Sequence, residues 1–168
     1  MAVFVTDGEQ RSTLAVVRAL GRAGISVTVG ASFPTSLAGS SRYCAKTVCY
    51  PSPWQEGESF QAFIGKECRH GEYRVLLPMT DITTLLAAQA RETLNPLVRL
   101  PIPSEEKIKL AQDKRHMVLL AQQLGISCPE TFMFHDEHGL EDVAQRIRYP
   151  VVIKPRFSRF LQNARWIS

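Results

Sequence analysis

The chain has 168 residues, 45% of them hydrophobic, with 20 Lys and Arg against 16 Asp and Glu. That length and apolar content allow a buried core for one domain, or for one domain and part of a second, and exclude a disordered tail protein. No run approaches the ~18 uninterrupted apolar residues of a membrane helix, and the first residues lack the basic segment of a signal peptide. No membrane partner is therefore expected, and the default location is the cytoplasm.

The formal charge of +4 is unevenly spread. Six basic residues (Arg146, Arg148, Lys154, Arg156, Arg159 and Arg165) and no acid lie between Val143 and Ser168, leaving 14 basic against 16 acidic residues before them. Basicity confined to one short stretch suits a local phosphate site better than a broad duplex-binding face, so no nucleic-acid partner is expected. Cys44, Cys49, Cys68 and Cys128 form no CxxC pair and read as reduced structural thiols. His135 and His138 lie in a polar turn without a third distant ligand, so no metal site is assigned.

In chain order, Ala2 to Val5 is a continuous apolar run, as expected of a parallel strand covered on both faces. A helix follows, with Ser12 as its N-cap, Leu14, Val17, Leu20 and Ala23 at helical spacing, and Gly24 at its end. Ile25 to Val29 is a second strand, completing a βαβ unit. Phe33 to Arg42 is rich in Ser, Pro and Gly and reads as a loop, and Lys46 to Tyr50 as a third strand. Phe60, Phe63, Ile64 and Cys68 mark a helix, Tyr73 to Leu77 a strand closed by Pro78, and Ile82, Leu85 and Leu86 a helix capped by Thr80 or Asp81. Val98 to Leu100 gives a short fifth strand. Strands alternating with helices imply an α/β fold, a Rossmann-like doubly wound parallel sheet.

After Pro103 the texture changes. Ser104 caps one short helix, Asp113 starts a second carrying Met117, Leu120, Ala121 and Leu124, and a third carries Leu140, Val143, Ala144 and Ile147. Thr131 to Phe134 and Val151 to Lys154 read as strands. The expected domain boundary lies near residue 112.

Two regions could carry chemistry. The first βα turn sits at the carboxyl end of a strand, where open α/β sheets bind ligands, which makes Glu9, Gln10, Arg11 and Ser12 candidates for a carboxylate or acceptor substrate. The competing reading is a plain capped turn in which Asp7 satisfies backbone donors. Neither the GxGxxG fingerprint nor a P-loop is present, so a dinucleotide site is disfavoured. The second region rests on two lysines. Lys154 ends the apolar run Val151-Val152-Ile153, where a buried ammonium needs a partner. Lys114 lies in the first turn of a helix, where a cation opposes the macrodipole unless Asp113 or a bound anion compensates.

The string Asp113-Lys114, a helix, Leu124-Gly125-Ile126, Pro129-Glu130-Thr131, then Tyr149-Pro150-Val151-Val152-Ile153-Lys154-Pro155 resembles the start of the ATP-grasp domain. That domain occurs in biotin carboxylase, the carbamoyl phosphate synthase large subunit and carboxylate-amine ligases. The resemblance implies a Rossmann-like preceding domain over residues 1–112 and the incomplete opening of a nucleotide-binding domain over residues 113–168. It implies ATP as cofactor, with Lys114 and Lys154 on its phosphates, and Mg2+ held only in the complete enzyme. The implied reaction activates a carboxylate as an acyl phosphate and transfers it to an amine or another nucleophile.

Relatives follow the strand lysine with a glycine-rich hairpin, whereas Pro155-Arg156-Phe157-Ser158-Arg159-Phe160-Leu161 has no glycine. Ser158 and Arg156, or Arg159, are the candidates to replace its phosphate contacts. The alternative to a ligase fragment is a non-catalytic Rossmann-like binding or interaction module with a basic C-terminal tail.

Overall fold

The computed structural model describes residues 2–158, 160–162 and 165–167. It divides into two compact units, Met1–Glu105 with Leu161–Ile167, and Glu106–Phe160. Each is described in turn.

The first unit is built on four parallel strands: β1 (Ala2–Val5), β2 (Ser26–Ala31), β3 (Lys46–Cys49) and β4 (Tyr73–Leu77) in the order β3-β2-β1-β4. Alternation of side chains across the sheet sends Val3 and Val5 to one face and Phe4 to the other. Val3 and Val5 join Val27, Val29 and Val17, the last from α1 (Arg11–Arg22). Phe4 joins Leu76, Phe60 and Ile64 from α2 (Gly57–His70), and Ile82 and Leu86 from α3 (Asp81–Gln89). Both faces are covered, which is why β1 is apolar at every position. A short α4 (Arg91–Leu94) follows.

Three details differ from the sequence reading of this unit. The cap of α1 is Gln10, not Ser12. The amide of Gln10 already donates to the Asp7 carbonyl at 2.9 Å and that of Leu14 to Gln10, so the turn closes two residues early. The expected strand at Val98 to Leu100 is reduced to one parallel bridge between Arg99 and Val75. Pro101, which has no amide hydrogen to donate, ends the pairing there. Ala23 is exposed rather than part of the apolar face.

The second unit contains α5 (Glu105–Gln112), which begins at its edge, α6 (Lys114–Gln123) and α7 (Glu137–Ala144). Asp113 caps α6, accepting from the amides of Arg115 and His116 at 3.0 and 3.2 Å. Helix α7 stops at Ala144, short of Ile147, and closes in a turn in which the amides of Arg146 and Ile147 both donate to the Val143 carbonyl, at 2.9 and 3.1 Å. Thr131 to Phe134 and Val151 to Lys154 are not strands: among the described residues neither has a ladder partner. Val152 and Ile153 are 80% and 75% exposed, so the apolar run that suggested a covered strand lies uncovered. The remaining strands, β5 (Phe160–Gln162) and β6 (Arg165–Ile167), which apart from Phe160 belong to the first unit, pair with one another.

Gly30 of β2 is closely packed, since an added Cβ would come within 2.8 Å of Phe4 and 2.7 Å of Tyr50. Gly30→Ala should therefore cost about 1–3 kcal/mol in denaturant unfolding. An unchanged midpoint would show that the two rings can move aside.

Candidate functional site

The strand order reverses between β1 and β4, and the crevice at their carboxyl ends is the usual ligand position of a doubly wound sheet. Here Asp7 fills that position. Its Oδ2 accepts from the hydroxyls of Thr6 and Thr83, both at 2.6 Å, and from the Met79 amide at 3.0 Å. Its Oδ1 accepts from the Thr80 hydroxyl at 3.3 Å. Thr80 and Thr83 also form a reciprocal capping box at the start of α3. The Asp7 amide donates to the Tyr50 hydroxyl at 2.8 Å, and burial followed by the nearby Asp7 charge pushes the Tyr50 phenol up from its ordinary range. Asp7 holds φ at +58°, a left-handed conformation that Asp and Asn tolerate better than other side chains.

The carboxylate that the sequence placed in a capped turn is thus spent on internal donors. Glu9 is also committed, accepting from the Ser32 amide at 2.7 Å and tying the turn to the loop after β2. Gln10, Arg11 and Ser12 remain exposed at the amino end of α1, which has no side-chain cap and no acid in its first turn. That end presents backbone N–H groups and one guanidinium, a combination suited to carboxylate or phosphate oxygens.

In the second unit, Lys114, Arg156 and Ser158 come together although more than forty residues separate the first from the other two. Lys114 Nζ donates to Ser158 Oγ at 2.7 Å, and the Lys114 amide donates to the Arg156 carbonyl at 3.1 Å. Arg156 Nε donates to both Asp113 oxygens at 3.0 Å, and Nη2 to Oδ2 at 2.5 Å. The Arg156 guanidinium, by that hydrogen bonding, holds the Asp113 carboxyl at about 2. A groove of about 340 Å³ lined by Leu110, Gln112, Asp113 and Phe157 opens beside this pair.

Lys154 is exposed on its extended segment, with no hydrogen bond or ion pair among the described residues, rather than buried at a strand end. Arg159 lies outside the described residues. A larger groove of about 520 Å³, between α2 and α3–α4, is lined by Lys66, Arg69, Gln61 and Gln89 and contains none of the candidates. Size alone does not make it the site, since its Gln61 is spent on tying the helices together, donating to the Leu86 carbonyl at 2.9 Å and to Gln89 at 3.4 Å, whereas the smaller one adjoins the Asp113–Arg156 pair. Among the described residues no three His, Cys, Asp or Glu side chains cluster as metal ligands, and no helix is long and apolar enough to cross a membrane. The sequence reading missed the Asp113–Arg156 pair; a carboxylate at a helix start and an arginine two residues past the lysine were visible, but not their distance in space.

No family model and no curated protein matches the chain. Solved structures do. L-amino acid ligase from Bacillus licheniformis shares 18% identity at a TM-score of 0.68 over 94% of this chain and 36% of its own. N5-carboxyaminoimidazole synthetase from Staphylococcus aureus, complexed with ADP, shares 14% at 0.64 over 94% and 39%. The biotin carboxylase domain of 2-oxoglutarate carboxylase from Hydrogenobacter thermophilus, in complex with MgADP, ADP and bicarbonate, shares 15% at 0.58 over 89% and 33%. Such neighbours are ATP-grasp ligases, and at this level of identity the likeness is one of fold. The four-stranded parallel sheet with flanking helices matches the amino-terminal domain of ATP-grasp enzymes. The chain spans only about a third to two fifths of their length.

Two outcomes follow from this geometry. Asp7→Ala leaves three hydroxyls and an amide without their acceptor and puts alanine at a positive φ, so it should cost about 2–4 kcal/mol in unfolding, with Asp7→Asn costing less. Asp113 titrates below its ordinary 3.8, at about 2. The stability it contributes is therefore fully present above pH ~4 and lost as pH falls through ~2. Carboxyl chemical shifts should show Asp113 titrating at about 2, and returning toward its ordinary value in Arg156→Ala.

Proposed function

We propose that this chain carries the preceding domain (residues 1–112) and the first nucleotide-binding residues (113–168) of an ATP-grasp ligase. The observation that supports this most is the meeting of Lys114 with Ser158 at the amino end of α6, where sequence and resemblance both asked for a phosphate contact. An ammonium and a hydroxyl within hydrogen-bond distance, with the ammonium of Lys154 four residues before that serine, form a set of groups that can donate to a polyphosphate, the Asp113 carboxylate being taken up by Arg156. ATP bound there supplies the phosphoryl group, and Mg2+ held by other residues of the complete enzyme neutralises charge on it.

In the whole enzyme, ATP held there would phosphorylate a substrate carboxylate with release of ADP, and an amine or other nucleophile would then displace inorganic phosphate from the acyl carbon. Within this chain, Lys114 and Lys154 hold the phosphates by charge, and Ser158 orients them through its hydroxyl. The turn of Glu9, Gln10, Arg11 and Ser12 receives a carboxylate or acceptor substrate. Its backbone amides and the Arg11 guanidinium make the contacts, and Glu9 fixes the turn through Ser32.

Residues 1–168 should bind ATP weakly and release no ADP with any carboxylate and amine pair. Titration with millimolar ATP should shift the amide signals of Lys114 and Ser158, and Lys114→Ala or Lys154→Ala should weaken binding about tenfold. ADP release by the pure chain, or unchanged affinity in both variants, would overturn the assignment.

A further inference from the structure

The segment after Lys154 lacks any glycine from Pro155 to Leu161. A glycine-free segment cannot easily lay its backbone close along a phosphate chain, because each Cβ holds the ligand away. It must be held in place by other means. The structure shows the means: residues 113–116 and 156–158 are joined by side-chain and backbone bonds that run in both directions. Arg156 grips the Asp113 carboxylate through Nε and Nη2, Lys114 donates its amide to the Arg156 carbonyl, and Lys114 Nζ reaches Ser158.

Building on the nucleotide reading above, we propose that Arg156 is a positioning residue and not a phosphate ligand. With Asp113 it forms a clasp that fastens the segment after Lys154 to the first turn of α6 and sets Ser158 beside Lys114.

Charge and geometry favour this over direct contact. Asp113 is largely buried, and its two oxygens already serve the amides of Arg115 and His116 as well as Arg156. The carboxylate thus joins a helix cap to a bidentate ion pair, the geometry for which a guanidinium is better shaped than an ammonium. A guanidinium so paired has its charge cancelled locally. Lys114 and Lys154 keep theirs, since among the described residues no acid pairs with either. The clasp therefore leaves the two lysines as the cations facing a polyanion.

The two roles for Arg156 make opposite predictions for Asp113. Asn caps helices as well as Asp does, so Asp113→Asn keeps α6 capped while removing the charge that Arg156 grips. If Arg156 were a phosphate ligand, this variant would free its guanidinium and ATP would bind as tightly or more tightly. If it is a clasp, ATP should bind roughly fivefold more weakly, and Arg156→Lys should lose a similar factor, because the ammonium keeps the charge but not the two-point grip.

The double variant Asp113→Asn/Arg156→Lys should be no weaker than the worse single one, as expected of two residues acting as a unit. The measurement is an ATP titration of the full chain by amide shifts. Equal or tighter binding in Asp113→Asn, or losses that simply add in the double variant, would overturn the clasp while leaving ATP binding intact. Absence of ATP binding by the unsubstituted chain would instead remove the nucleotide reading and, with it, the role given to the clasp.

Discussion

The first unit depends on how one buried carboxylate is satisfied. Asp7 ends β1 in a left-handed turn, and its oxygens collect donors from Thr6, Met79, Thr80 and Thr83. These come from the end of β1, the end of β4 and the start of α3, the three pieces that meet where the strand order reverses. No cation lies among those donors, so the charge is stabilised by hydroxyl and amide dipoles alone, which requires all of them to stay in place. The consequence reaches the surface. With Asp7 directed inward and Glu9 tied to Ser32, the turn leaves Gln10, Arg11 and Ser12 exposed at the end of α1, which has no side-chain cap.

The second unit solves a similar problem with the opposite device. Asp113 caps a helix, which Asp7 does not, and it is balanced by the guanidinium of Arg156 rather than by hydroxyls. That difference suits the two sites. A neutral set of donors around Asp7 fixes a turn without adding charge to the crevice. The ion pair at Asp113 neutralises one positive charge of a basic segment and leaves the charges of Lys114 and Lys154 without an acidic partner among the described residues. The fold likeness to solved ATP-grasp ligases comes from the backbone as a whole, whereas the arrangement at Asp113 comes from a few side chains.

The sheet was legible because burial on both faces writes itself into a strand as an unbroken apolar run. Ala2 to Val5 carries that mark, Tyr73 to Leu77 carries it apart from the exposed Arg74, and both occupy the expected places. The same rule misled at Val151 to Lys154, where the apolar run is present but no neighbouring strand among the described residues pairs with it. Apolarity reports a wish to be covered and does not provide the cover. Capping was readable at Thr80 and Asp113, where a short polar side chain precedes a periodic stretch. It was misread at Ser12, because the start of α1 is fixed by main-chain bonding to the Asp7 carbonyl, which leaves no trace in side-chain identity. Lys114 could be singled out from its unfavourable place in a helix. Its contact with Ser158 could not, since it depends on a tertiary approach across more than forty residues.

The central claim is that Lys114 and Lys154 together face the phosphates of ATP, and lysine reactivity reads this most directly. Brief acetylation of the chain with and without ATP, followed by mass spectrometry of each lysine, compares those two with Lys66, which is exposed on α2 and is no part of the proposed site. The account predicts that ATP slows modification of Lys114 and Lys154 together and leaves Lys66 unchanged. Equal modification of all three with and without saturating ATP would contradict it.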